Sequence, residues 1–152
     1  MVRYAIKGKK SVTSTAVSLC ENILADLAKA KRPVLKATKC SLDNAIYSPS
    51  LGFLTPGSKK VSTELNVSSV KKMARSIFIM EILLRNVKSL GVNTKREIYY
   101  ICKGLLKQNP NFKPLDFEEQ NESDSIIDFI CEIIECYREE LNCYANDRGG
   151  QT

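Results

Sequence analysis

Apolar residues recur at Ala16, Leu19, Cys20, Ile23, Leu24, Leu27 and Ala28, a three-and-four spacing that predicts a helix. Lys29-Ala30-Lys31-Arg32 ends it ahead of Pro33. Four short extended stretches follow, Pro33–Ala37, Asn44–Tyr47, Gly52–Leu54 and Lys60–Leu65, broken by Ser48-Pro49 and Pro56-Gly57. They predict a small irregular sheet or arm. Residues 69–89 carry the strongest helical signal, with Val70, Met73, Ile77, Met80, Leu84 and Val87 in one stripe. Phe78, Ile79, Ile82 and Leu83 spread apolar character nearly all round, the pattern of a helix buried centrally or shared across an interface. Gly91 ends it.

Thr94-Lys95-Arg96-Glu97 then reads as a capping box opening a helix to about Lys107. So short a turn between two helices is the spacing of a helix-turn-helix unit. Asn109–Asn121, with Pro110 and Pro114, is expected to be a loop. The next helix is expected over Ser123–Tyr137, with Ile126, Ile130, Ile133, Ile134 and Tyr137 inward. Asp124, Asp128, Glu132, Glu135 and Glu139 form the opposite stripe, read as a solvated acidic face rather than a metal ladder. A strand over Leu141–Ala145 and a turn at Asp147-Arg148-Gly149-Gly150 complete the pattern. The expected fold is mainly α with short β strands, a winged-helix, helix-turn-helix DNA-binding domain of the CAP type. Its parts are a basic flexible N-terminus (1–14), a helix and short-strand arm (15–66) and the winged-helix domain (67–152).

Charge divides the chain. Its net +6 comes from residues 1–107, with 20 basic and 6 acidic side chains, and residues 108–152, with 3 and 11. A basic body makes a polyanion the first partner to consider. There is no histidine, which excludes Ser-His-Asp, Cys-His and Cys2His2 chemistry. The six cysteines show no CxxC pair and read as reduced, partly buried thiols. No apolar run approaches the ~18–20 residues of a membrane span, and no secretory signal is visible, so an intracellular location is expected.

The helix after Thr94 carries the candidate chemistry. At about 100° per residue, Ile98, Ile101, Cys102 and Leu105 face the core and Tyr99 flanks them. Tyr100 points outward, with Arg96, Lys103 and Lys107 on its side of the helix. Lys95 is a further candidate phosphate contact. A phenol attacking a phosphodiester needs the extra charge on the non-bridging oxygens stabilised, and Arg96 offers a forked donor for it. On geometry alone, two amphipathic surface tyrosines and a nucleophile both remain open.

Thr94-Lys95-Arg96-Glu97-Ile98-Tyr99-Tyr100 resembles the active-site motif of the DNA topoisomerase VI A-subunit family, which includes the meiotic protein that makes double-strand breaks. Lys31-Arg32-Pro33-Val34-Leu35, Lys59-Lys60-Val61, Asn66-Val67-Ser68-Ser69-Val70 and Glu119-Gln120-Asn121-Glu122-Ser123-Asp124 look like family segments in family order. Arg138-Glu139-Glu140-Leu141 and Asn146-Asp147-Arg148-Gly149 continue the likeness. The resemblance implies that Tyr100 attacks duplex DNA and becomes linked to a 5′-phosphate, with Arg96 stabilising the transition state. It implies a homodimer of A-type subunits, a chromosome-associated role, and a B subunit that handles ATP in an ATP-dependent type II topoisomerase. The family's Mg2+ ligands lie in a Toprim domain expected beyond Thr152, in cis or on another chain, so this chain alone is expected to be inactive. Two other readings stand beside it: a non-catalytic winged-helix DNA-binding module, and an interaction domain that uses the 69–89 helix to dimerise or to bind a B-type subunit.

Overall fold

Burial of apolar faces decides which segments become regular. The computed structural model describes residues 9–39 and 41–145. Its elements are α1 (Lys9–Ala28), β1 (Val34–Thr38), β2 (Ala45–Ser48), β3 (Phe53–Pro56), β4 (Lys60–Glu64), α2 (Val70–Ser89), β5 (Asn93–Thr94), α3 (Lys95–Gln108), α4 (Gln120–Ile134) and β6 (Cys143–Tyr144). Short 3-10 turns cover Leu42–Asn44, Pro110–Leu115 and Arg138–Leu141. The expected basic start at residues 1–8, Cys40, and the turn from Asn146 onward lie outside the described residues.

The main core gathers Val12 and Ala16 of α1, Ile79, Met80, Ile82 and Leu83 of α2, Ile98 and Cys102 of α3, and Ile126, Ile127, Ile130 and Ile134 of α4. Phe117, Leu141 and Cys143 close it from the connecting segments. Burying each large aliphatic or aromatic side chain here contributes about 1.5–3 kcal/mol. A smaller cluster of Ile23, Leu35, Met73 and Phe129 ties β1 to the three helices α1, α2 and α4. β1 pairs antiparallel with β4, and β2 with β3. β5 pairs in parallel with β6, Asn93 opposite Cys143, so the returning chain lies beside the turn between α2 and α3. The result is mainly α with short strands, a winged-helix-like arrangement around the helix-turn-helix of α2 and α3.

Several expectations change. Within the expected loop Asn109–Asn121 a 3-10 turn forms over Pro110–Leu115 and α4 already starts at Gln120, and the expected strand Leu141–Ala145 shortens to Cys143–Tyr144 because Leu141 belongs to a 3-10 turn. Helix α1 begins at Lys9, within the segment expected to be loose, because Val12 belongs to the main core. On α2 Met73, Met80 and Val87 of the expected stripe are buried together with Ile79, Ile82 and Leu83, as the all-round apolar pattern predicts, while Val70 and Ile77 of the stripe are exposed. Helices α1, α3 and α4 pack around it, which is why burial extends beyond the stripe. Helix α4 stops at Ile134 instead of Tyr137: Glu135 turns left-handed (φ 59°) and the Cys136 amide donates back to the Cys131 carbonyl at 3.1 Å. The acidic stripe is also not wholly solvated, since Asp128 pairs with Lys95 and Glu135 accepts a hydrogen bond from the Thr38 hydroxyl.

Candidate active site

Helix α3 is set by its two ends and its buried row. Leu90 adopts a left-handed conformation (φ 57°) and the Gly91 amide donates to the Asn86 carbonyl at 2.9 Å, which ends α2 and reverses the chain. Three residues later the capping box predicted from sequence is present. Thr94 Oγ1 accepts from the Glu97 amide at 3.2 Å, and Glu97 Oε2 accepts from the Thr94 amide at 2.6 Å. The Thr94 amide and hydroxyl hold the Glu97 carboxyl below the usual range. Ile98, Cys102 and Leu106 are buried, while Ile101 and Leu105 are half-buried. Burial pushes the Cys102 thiol up to about 12, so it is a packing residue and not a nucleophile.

This seating turns Tyr100 outward, 56% exposed. The Arg96 guanidinium carbon stands 5.8 Å from the centre of its ring, one helical turn earlier. Tyr99, half-buried, meets the Tyr100 ring edge-on, with centroids 5.4 Å apart and planes at 61°. The Tyr99 hydroxyl donates to the Glu118 carbonyl at 3.4 Å, which directs it toward the loop before α4. The phenol of Tyr100 thus stands in the open beside a guanidinium, while its neighbour is tied to the scaffold.

The lysines divide differently from the helical-wheel expectation. Lys103 leaves the Tyr100 side: its ammonium pairs with Asp116 at 3.1 Å and lies 5.7 Å from the centre of the Tyr99 ring. Lys95 pairs with Asp128 at 3.3 Å, a tie between α3 and α4. Lys107 is exposed on the last turn of α3. Of the residues singled out from sequence, the structure brings Arg96 and Tyr100 together and directs Lys95 and Lys103 to carboxylates.

Asp116 and Glu118 had no signal in the sequence, because they reach α3 only through the fold. Behind them sits Arg75 of α2, whose guanidinium donates to the Leu115 carbonyl at 3.2 Å and to the Asp116 carbonyl. It lies 4.4 Å from the centre of the Phe117 ring and 3.8 Å from Glu122. Burial raises the Asp116 carboxyl, but the Lys103 ammonium, the Phe117 amide and the Arg75 charge together hold it below its ordinary range. A buried cation therefore anchors the loop against which Tyr99 and Lys103 rest.

Among the described residues no three His, Cys, Asp or Glu side chains come together as a metal-binding group. Glu97, the acidic residue on α3, is committed to the cap. These residues do not fit a magnesium ion.

A family model described as type IIB DNA topoisomerase matches residues 71–143, from α2 to β6. Over those residues the chain is similar to the type IIB DNA topoisomerase family. The matched stretch contains Arg96, Tyr99 and Tyr100 and all of the helix-turn-helix but Val70. Across 95% of its length the chain is 25% identical to the type 2 DNA topoisomerase 6 A-subunit of Aeropyrum pernix. It is 24% identical over 94% of its length to the protein of that name from Methanocaldococcus jannaschii, and 27% over 86% to that of Pyrococcus abyssi. The chain spans 38%, 37% and 34% of the lengths of these relatives. No solved structure matches it. No helix among the described residues is long and apolar enough to cross a membrane.

Proposed function

We propose that this chain is the DNA-binding and cleavage domain of a topoisomerase VI A-type subunit, with Tyr100 as the nucleophile that opens duplex DNA. The observation that carries the reading is the pairing of an exposed Tyr100 phenol with the Arg96 guanidinium on the second helix of a helix-turn-helix. In the reaction the Tyr100 oxygen forms a bond to phosphorus and the bond from phosphorus to the 3′ oxygen breaks. The phenolic proton is lost and the departing 3′ oxygen gains one, leaving a 5′-phosphotyrosyl ester. A free phenol, with an ordinary pKa of about 10, is a weak nucleophile at neutral pH. Arg96 would place donors on the non-bridging oxygens, where charge builds as the new bond forms.

In this reading Lys107 contacts phosphate directly, and Lys95 and Lys103 exchange their carboxylate partners for phosphate as DNA docks. Full activity would need Mg2+ ligands from a Toprim domain in cis or in trans, a second A-type protomer, and a B subunit that handles ATP. The location would be intracellular and DNA-associated. The test is capture of a covalent protein–DNA adduct from the full chain, supplied with Mg2+ and candidate partner chains. Tyr100→Phe should abolish the adduct while DNA binding persists. Binding with no adduct from the unsubstituted protein in any such mixture would favour the non-catalytic module.

A further inference from the structure

The arm formed by β2 and β3 contributes no residue to either core cluster. The two strands pair antiparallel with Ala45 opposite Pro56 and Ser48 opposite Phe53, and contact chiefly each other. Ile46 is 59% exposed, Tyr47 61% and Leu51 46%, and none of them joins either core cluster. Between Asn44 and Ser58 there is no charged residue at all. Four paired residues per strand, at about 3.4 Å each, carry the loop Pro49–Gly52 roughly 13 Å outward. Gly52, at φ 73°, closes that loop, its amide donating to the Ser48 carbonyl at 2.8 Å.

The base of this ribbon is tied by hydrogen bonds. Asn44 is buried and donates its side-chain amide to the carbonyls of Lys39 (2.7 Å) and Lys59 (3.1 Å), while its Oδ1 accepts from the Lys59 amide at 3.0 Å. Its backbone carbonyl accepts from Gly57, where a Cβ would come within 2.8 Å of the Asn44 side chain. Only glycine lets the strand pass so close. This hub joins the ribbon to the β1–β4 ladder, which ends at Thr38 opposite Lys60.

Lys39 and Lys59 stand at the hub, with Lys60 next along β4 and Lys36 farther along β1, all exposed. Asp43 lies among them, shared by Lys39 at 2.8 Å and Lys59 at 3.7 Å. Four ammonium groups against two carboxylates, Asp43 and the Glu135 that Thr38 bonds opposite Lys60, leave an excess of positive charge just where an uncharged, apolar-tipped ribbon emerges. A polyanion answers the collar, and an apolar wedge beside it is how proteins open base steps from the minor groove. The tip has no Arg, Asn, Gln or acid with which to read base edges, so it would act on shape and deformability. Its reach exceeds the ~7.5 Å depth of that groove.

We propose that the β2–β3 ribbon is a second contact on duplex DNA, its Pro49–Gly52 tip entering the minor groove with Leu51 as a wedge while Lys36, Lys39, Lys59 and Lys60 hold the flanking phosphates. The inference rests on the reading of DNA as the partner of this chain. It adds a bend in the DNA away from the α3 face.

The test uses the full chain and a 30-bp duplex labelled at both ends, following anisotropy for affinity and energy transfer for bending. Three forms are compared with the unsubstituted chain: Lys39→Gln/Lys59→Gln/Lys60→Gln, Leu51→Ser, and Arg96→Gln/Lys107→Gln on α3. The triple collar variant should flatten the slope of log affinity against log salt by about 2–3. Leu51→Ser should bind several-fold more weakly with the slope unchanged and should lose the bend. Ribbon variants that bind and bend like the unsubstituted chain, while the α3 variant weakens, overturn the ribbon contact and leave the α3 reading standing. A chain that binds no duplex at any salt overturns both.

Discussion

Arg75→Leu tests the support beneath the active face. The guanidinium side chain is only 11% exposed and donates to two backbone carbonyls, Leu115 and Asp116, while stacking on Phe117. Hydrogen bonds from a charged donor are worth about 1.5–3 kcal/mol each, and the stacking about 0.5–2 kcal/mol. Leucine keeps part of the packing over Phe117, and water can reach one of the abandoned carbonyls. The expected net loss is therefore about 2–4 kcal/mol. With a urea slope near 2 kcal/mol per molar, the midpoint should fall by about 1–2 M. For a chain of this size the thermal midpoint should drop by about 5–15 °C. A second signal should accompany the loss: the 115–118 segment relaxes, so amide exchange at Phe117 and Glu118 should speed up more than exchange in α1. If the midpoint moved by less than about 0.3 M, the claim that a buried cation organises this loop would fail.

Thr94→Ala removes the hydroxyl of the α3 capping box and should cost about 1 kcal/mol in urea denaturation, with Thr94→Ser recovering most of it. Equal midpoints for the two variants would show that the cap adds nothing. Asp43, Glu97, Asp116 and Glu122 are all held below the ordinary carboxylate range in the folded chain. A folded value below the unfolded one gives stability that is present above about pH 4 and is lost as pH falls through the folded values. The urea midpoint should therefore be lower at pH 3 than at pH 6, against a smaller opposing effect from Glu132, which burial raises. An unchanged or higher midpoint at pH 3 would contradict this assignment. Burial raises the Cys102 thiol to about 12 and the Cys143 thiol to about 11, so iodoacetamide at pH 8 should modify Cys20 well before either. Early labelling of Cys102 in peptide maps would mean that α3 is not seated as described.

Much of the fold was legible because it depends on local rules. The four strands and both ends of α2 follow from turn residues and periodicity, and the α3 cap from a Thr and a Glu three positions apart. The wheel on α3 separated Tyr100 from Tyr99 correctly, since Ile98 and Cys102 fix the rotation of that helix. What could not be read depends on distant partners. Lys95 and Lys103 look like free cations along the helix, and their acids lie 33 and 13 positions away on other elements. Arg75 resembles the other cations of α2 in sequence, and only the arrival of the 115–118 loop makes it a buried anchor. Nor does sequence foretell the end of α4, where a glutamate rather than a glycine turns left-handed.

If the proposed function holds, Tyr100 and no other residue carries the covalent link to DNA. The direct test is peptide mapping of the adduct trapped from the full chain with Mg2+ and a Toprim-bearing partner. A nucleotide remnant joined through its 5′-phosphate to Tyr100 is expected, retained in Tyr99→Phe and absent in Tyr100→Phe. A remnant on Tyr99, or an adduct that survives loss of Tyr100, would contradict it.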